Sequence, residues 1–412
     1  MKQEVLYISS SCSNEVFKKI EETKKKQSFV YGMPIAGNKF HALVMKGLNL
    51  NNCEVTALTG LPVSNKTHNK IIWKKYEDEE NNIKYKYLGF INLPILKHLL
   101  IGIFIFFNIL KWNKKNKDNK KLIIFDASYV SVIPFVTLAN KIIKCDSLAL
   151  FMDVYDYMAP VTTQNVKGNN LKNIIRNVMK KCYDLVSGYI FLSEPMNTLI
   201  NKNKKPYIIM EGIVDSEEKK ITRIKKEDKF IIMYAGALRE EYGLKILVDG
   251  YMKFKNDNSE LWIFGAGDYR EEIIKKSKKD SRIKFFGTIS NKEILNYEKK
   301  ASLLINPRPT NSEFTKYSFP SKIMEYMSSG TPVMTTKLPT IPEEYKDYLY
   351  YINEETPSGV CKCLEKISKT DNKELIKFGE KSKKFILKNK IEKNQAKKIL
   401  DWWCNKNEET NK

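Results

Sequence analysis

Residues 306–332 read NPRPTNSEFTKYSFPSKIMEYMSSGTP. The apolar run Ala301 to Ile305 before them predicts a buried strand. A long polar loop follows, carrying Arg308, Glu313, Thr315, Lys316 and Tyr317. Pro320 then suits the first turn of a helix, Gly330 its stop, and Pro332 lies just beyond. On that helix Ile323, Met324 and Met327 share one face, while Ser321, Glu325, Ser328 and Ser329 share another. The second face is small and polar around a single carboxylate, which suits a close-approaching ligand whose hydroxyls donate to Glu325. Free backbone N–H groups near Ser321 and Lys322, at the positive end of the helix dipole, suit a diphosphate. A structureless loop of this length in a compact domain is usually functional. As a plain strand–loop–helix unit, the same residues would leave Glu325 merely solvated.

The chain has 412 residues, a length for two or three domains, and at 42% hydrophobic it can fill large cores. Its 71 Lys and Arg against 48 Asp and Glu give a net charge of +23, which calls for acidic partners. Those partners are nucleic acid, anionic lipid headgroups or phosphorylated substrates. No RNA-binding signature or zinc-finger spacing is present and the lysines are scattered over helix surfaces, so membrane surface or phosphorylated substrate outweighs nucleic acid. Arginine is rare beside lysine, and two of the arginines, Arg239 and Arg308, fall inside motifs. A planar, bidentate donor in a lysine-rich chain marks a place where that geometry is wanted. Seven cysteines in mostly apolar contexts, with only three histidines, read as reduced core residues rather than a disulfide framework or a zinc site. The N-terminal MKQEVLYISSSCS is a strand and a polar turn without a signal-peptide layout, so a cytoplasmic location is expected.

Along the chain, Glu4–Ile8 and Asn52–Leu58 read as parallel strands, with a helix opened by Gly37-Asn38 between them and a strand pair in Ile71–Tyr87. Lys121–Asp126, Leu148–Met152 and Gly188–Leu192 continue the series, with helices over Ser128–Ile143 and Leu171–Asp184. The charged run Ser216–Lys229 reads as a linker. Phe230–Gly236 restarts a Rossmann-like pattern, followed by strands at Leu261–Gly267 and Ile283–Gly287 and a helix at Asn291–Lys300. The basic tail Glu374–Trp403 is helical and ends in Trp402-Trp403, a suitable apolar anchor.

Leu88–Trp112, LGFINLPILKHLLIGIFIFFNILKW, stands apart. Its uninterrupted apolar core, Leu99–Phe107, is short of the ~18–20 residues of a bilayer span. A helix buried under the sheet, an interfacial helix whose flanking lysines meet anionic headgroups, and a transmembrane anchor are the three readings.

The wording FPSKIMEYMSSGTPV resembles the donor-binding segment of family 4 glycosyltransferases, in the variant found in bacterial surface-polysaccharide synthesis. The resemblance implies the GT-B fold, two Rossmann-like doubly wound α/β domains face to face. It implies domains at 1–215 and 230–390, a linker at 216–229, and a final helix over 391–412 that crosses back to the first domain. It further implies that Glu325 holds the ribose of a nucleotide-sugar, with Ser321 and Lys322 at the diphosphate. The family often carries another Glu eight positions earlier; Tyr317 stands there, and Glu313 is the nearest acid. Gly37 resembles the family's glycine under the diphosphate, and Asp153, at the end of a strand, is the acceptor-side carboxylate. The family's phosphate-binding Arg and Lys positions hold Ala237 and Tyr242 here, leaving Arg239 and Lys245 as displaced cations, with Arg308 of the long loop a further donor-binding candidate.

The activity implied is retaining, metal-independent glycosyl transfer from a nucleotide-sugar, the donor substrate, to a saccharide or lipid-linked saccharide, with no cofactor. A sugar-nucleotide epimerase of the same fold and a non-catalytic nucleotide-sugar-binding subunit are the rival readings. An anionic membrane surface is a further partner class, with the protein peripheral on the inner face.

Overall fold

The structure is a computed structural model and describes residues 2–24, 35–115, 117–154, 177–217 and 226–409. It divides into two compact units, Met1–Ile213 with Glu392–Lys412, and Val214–Ile391. Each is a doubly wound α/β domain.

The first unit begins β1 (Gln3–Ser9), α1 (Asn14–Glu22), α2 (Ile35–Leu50) and β2 (Cys53–Thr59). Short strands follow, β3 (Ile72–Trp73), β4 (Tyr76–Glu80), β5 (Ile83–Tyr87) and β6 (Phe90–Ile91). Then come α3 (Pro94–Lys114), β7 (Lys120–Asp126), α4 (Ile133–Ile143), β8 (Asp146–Phe151), β9 (Gly188–Phe191), α5 (Glu194–Ile200) and β10 (Tyr207–Ile209). The main sheet runs β10-β9-β8-β7-β1-β2-β5-β4 and is parallel except for the β4–β5 hairpin. Its central strands β1, β7 and β8 are near-continuous apolar runs because helices cover both faces of such a sheet. The chain leaves β1 on one side for β2 and returns on the other side for β7, so the order reverses at β1/β7.

The second unit contains β11 (Phe230–Ala235), α6 (Leu244–Lys253), β12 (Ser259–Phe264), α7 (Arg270–Lys279), β13 (Ile283–Gly287), α8 (Asn291–Lys300) and β14 (Leu303–Asn306). It continues with α9 (Ser321–Ser329), β15 (Val333–Thr336), β16 (Tyr350–Ile352), α10 (Pro357–Ser368) and α11 (Asn372–Asn389). The sheet order β13-β12-β11-β14-β15-β16 is fully parallel, and it reverses between β11 and β14. The helices start where the caps demand: Ser290 and Glu293 form a reciprocal capping box on α8, and Asp371 caps α11. Gly330, at φ +82°, ends α9.

The structure refines the sequence reading in four places. The tail is two helices, α11 and α12 (Glu392–Glu409), broken where Lys390 and Ile391 join Val214 by a backbone bond and a β-bridge. Helix α12 packs with the first unit, burying Ala396, Ile399 and Trp403, while its start crosses α2 at Gly47. A Cβ at Gly47 would lie 2.1 Å from the Glu392 carbonyl oxygen, so only glycine permits that crossing. Helix α4 starts at Ile133 rather than Ser128, because the Asp126 carboxylate accepts from Ser128 N at 2.8 Å and holds a turn there. Helix α2 starts at Ile35, which puts Gly37 inside its first turn. Helix α3 runs the full Pro94–Lys114, with Ile101, Ile105 and Ile109 buried and the opposite face open. The expected helix over Leu171–Asp184 lies partly outside the described residues; 177–183 are helical. Residues 218–225 of the charged run 216–229 lie outside them as well, but Lys226 belongs to the second unit, donating to the Ala301 carbonyl at 2.6 Å.

Candidate functional site

In open α/β sheets, ligands bind outside the carboxyl ends of the strands at the point where strand order reverses. In the second unit that point lies between β11 and β14. The loops leaving these two strands, 236–243 and 307–320, meet there. The Tyr242 ring packs on Phe314 with centroids 5.2 Å apart. The Arg308 guanidinium lies 4.9 Å from the Tyr242 centroid and 5.9 Å from that of Phe314. Arg239 approaches the same Tyr242 ring at 6.0 Å and pairs with Glu241 at 2.9 Å. Two arginines and two aromatic rings thus form one cluster, with the guanidinium groups at cation–π distance from the rings.

The backbone is built for this approach. Gly243 sits at φ +82°, and a Cβ there would fall 1.9 Å from the Pro307 carbonyl oxygen. The long loop is pinned from within and from its neighbours. The buried Thr315 hydroxyl reaches the Pro309 carbonyl at 2.8 Å and the Ser312 carbonyl at 2.7 Å, and Asn306 donates to Thr335 Oγ1 at 3.0 Å. Thr310 N donates to Glu355 at 2.9 Å. Tyr234, at the end of β11, donates to the Ala237 carbonyl at 2.8 Å. Burial raises its phenol pKa, and the nearby Arg308 charge offsets part of that rise.

Helix α9 is fastened to the same place. Ile323, Met324 and Met327 are buried in the core beneath it. Tyr326 is fully buried and its hydroxyl accepts from Ala235 N at 2.9 Å and donates to Ala235 O at 3.1 Å. That pair of hydrogen bonds ties the helix to the last residue of β11. Burial first, then the Glu298 carboxylate, holds the Tyr326 phenol well above its ordinary pKa, so it stays a donor. Glu325 is half-buried and accepts from Lys322 Nζ at 2.5 Å, which places a carboxylate and an ammonium together on the first turns of the helix. Ser321 is exposed, at the helix start.

The structure locates the remaining sequence candidates as follows. Lys245 projects exposed from α6 beside Glu240 at 3.6 Å, outside the arginine–aromatic cluster. Glu313 opens a short 3-10 turn with its side chain 61% exposed and paired with Lys316. Tyr317 ends that turn, half-buried. Gly37 and Asp153 belong to the first unit: Gly37 in the first turn of α2, Asp153 half-buried just past the carboxyl end of β8.

Sequence reasoning missed a buried chain in the first unit. Tyr7 on β1 bonds His41 Nδ1 at 2.7 Å, and His41 Nε2 lies 3.3 Å from Asp126, the last residue of β7. Burial first, then the Asp126 charge, raises the Tyr7 phenol pKa. Beside them Asn38 accepts from Cys12 N at 2.9 Å and donates to Cys12 O at 3.1 Å, clamping the turn after β1 to the start of α2. Only the rarity of histidine pointed to it. Among the described residues, no three His, Cys, Asp or Glu side chains gather as a metal site.

Residues 215–385, most of the second unit, match the family model described as glycosyl transferases group 1. Among curated proteins none matches the sequence. Solved structures match over nearly the whole chain. Sucrose-phosphate synthase from Thermosynechococcus elongatus is 12% identical with a TM-score of 0.66, covering 98% of this chain and 99% of its own. Anabaena HepE in complex with UDP is 13% identical at 0.63, covering 98% and 100%. The lipopolysaccharide outer core galactosyltransferase WaaB is 15% identical at 0.61, also covering 98% and 100%. The fold of this chain is that of the GT-B glycosyltransferases, and its second unit, with the group 1 match across both site loops and α9, supports glycosyl transfer.

Proposed function

We propose that the protein transfers a sugar from a nucleotide-sugar to a saccharide hydroxyl, free or lipid-linked, in glycan assembly. The observation that carries the reading is the meeting of the two loops and the α9 N-terminus at the strand-order reversal of the second unit, inside the stretch that matches glycosyl transferases group 1. In this reading Glu325 accepts from the ribose hydroxyls, displacing Lys322, whose ammonium then faces the diphosphate. Negative charge develops on the leaving diphosphate. The free N–H groups of Ser321 and Lys322, together with Arg308 and Arg239, stabilise it electrostatically. Glu313 or the neighbouring loop backbone meets the donor sugar, and Asp153 serves the acceptor. Retention of anomeric configuration and catalysis without a metal or cofactor belong to the same reading through the family 4 resemblance, and a cytoplasmic setting is proposed alongside them. HepE bound to UDP and starch synthase IV bound to ADP and acarbose support a nucleoside diphosphate and a saccharide as ligands.

The test is a screen of nucleotide-sugars by calorimetry and turnover, on the wild type and on Glu325→Ala. A donor should bind, turn over with an added saccharide, and bind about 1.5–3 kcal/mol more weakly to the variant. Unchanged affinity in Glu325→Ala would remove that residue from the site. Binding without turnover across saccharides would favour a binding subunit, and donor isomerisation an epimerase.

A further inference from the structure

Helix α3 is long and apolar enough to cross a membrane, yet only 28% of its most apolar stretch is buried, far less than a core helix requires. One face packs inward through Ile101, Ile105 and Ile109. The opposite face keeps Leu99, Phe104 and Phe107 exposed, Phe107 by 61%. Helix α4 lies alongside, so close that a Cβ on Gly102 would fall 2.3 Å from the Phe135 ring. It adds Leu138 and Ile142, exposed by 53% and 58%. The two packed helices thus each carry several exposed large apolar side chains, more than singly scattered ones explain.

The C-terminal ends of both helices carry the charge. Lys111, Lys114, Lys117, Lys120, Lys141 and Lys144 are all exposed there. A basin of about 400 Å³ opens among them, lined by Lys114, Lys117, Lys120, Lys121 and Lys144. Its one carboxylate, Asp146, is already engaged by Trp403 Nε1 at 3.2 Å and Ser187 Oγ at 3.3 Å. Exposed Asp118 lies in the same turn. Lysines in a last helical turn offset the helix dipole, but that need is met within the turn and does not call for a basin shared by two helices.

We infer that the outward face of α3 and α4, with the lysine basin at its end, is a docking surface for a bilayer containing anionic lipid. The apolar side chains enter the interface with α3 in the membrane plane, and the lysine stems reach headgroup phosphates. Charge complementarity selects this occupant over a second copy, because another chain of net charge +23 offers repulsion where an anionic surface offers attraction. The inference does not depend on the transfer reaction, since vesicle binding needs neither donor nor acceptor.

The full chain is co-sedimented with vesicles of phosphatidylcholine alone and with phosphatidylglycerol added, at low and high salt. The expected result is binding to the anionic vesicles that weakens with salt. Lys114→Gln/Lys117→Gln/Lys120→Gln should lose about fivefold in partitioning per lysine. Leu99→Gln/Phe107→Gln should lose about tenfold or more even at low salt. All these side chains are exposed or half-exposed at the surface, so thermal unfolding of both variants should match the wild type, which separates loss of docking from loss of fold. No binding to anionic vesicles, equal binding to neutral ones, or binding untouched by both variants would overturn the inference. So would self-association that Leu99→Gln/Phe107→Gln abolishes in a protein that ignores vesicles, because the face would then be an interface between copies.

Discussion

Arg308 stacks over Tyr242, guanidinium carbon to ring centre 4.9 Å, and this contact joins the loop after β14 to the loop after β11. The tyrosine stands where the family resemblance implies a lysine, and a cation from a different loop, Arg308, lies over its ring. In the proposed function this guanidinium meets a donor phosphate as a planar, two-pronged donor.

Arg308→Lys should therefore weaken nucleotide-sugar binding by about 1–2 kcal/mol, because an ammonium neither stacks nor binds two oxygens at once. Tyr242→Phe keeps the ring and should bind near normally, whereas Tyr242→Leu should approach the loss seen in Arg308→Lys. Calorimetric affinities for the donor check the ranking. If Tyr242→Leu binds as the wild type does, the stack is incidental.

Gly243→Ala places a methyl group against the Pro307 carbonyl at a backbone angle that side chains rarely adopt. The two loops must separate to admit it. A loss of about 1–3 kcal/mol in unfolding free energy is expected, with reduced donor affinity in the protein that remains folded. Gly287→Ala is the control: its φ is also positive, at +69°, but nothing lies within 4 Å of the added carbon, so only the backbone cost applies.

The roles of Glu313 and Tyr317 separate kinetically. If Glu313 leaves Lys316 to hold a donor-sugar hydroxyl more strongly in the transition state, Glu313→Gln should lower kcat more than it raises KM. Tyr317→Phe should be mild. The opposite ranking in steady-state kinetics would make the phenol the working group.

Lys97, on the buried face of α3, donates to the Leu61 and Val63 carbonyls, and burial lowers its pKa from 10.5 to about 8. Between those values the unfolded chain binds more protons than the folded one, so stability should rise as pH climbs through about 8 toward 10.5. Denaturant titrations across that window should show a gain on the order of 1–3 kcal/mol in the wild type that is absent in Lys97→Met. Parallel profiles for the two proteins would show that the amine titrates as in water.

The strand–helix alternation and the two-domain α/β class were legible because buried parallel strands are apolar runs, and residues such as Pro320 and Gly330 punctuate the helices. Helix α8, Asn291–Lys300, has in the structure the bounds its sequence predicts. Periodicity also set Ile323, Met324 and Met327 together on the buried side of α9. What tertiary structure alone decided are meetings between residues far apart in the chain. Tyr242 with Arg308, Tyr326 with Ala235 and Tyr7 with His41 and Asp126 depend on which strands lie side by side, and the order β12-β11-β14 is written in no local pattern. Helix α3 shows the limit most plainly. A helix apolar on every side reads the same whether it is a core element, an interfacial helix or a membrane span. The difference is which faces the neighbouring elements cover, and α4 covers only one side of it.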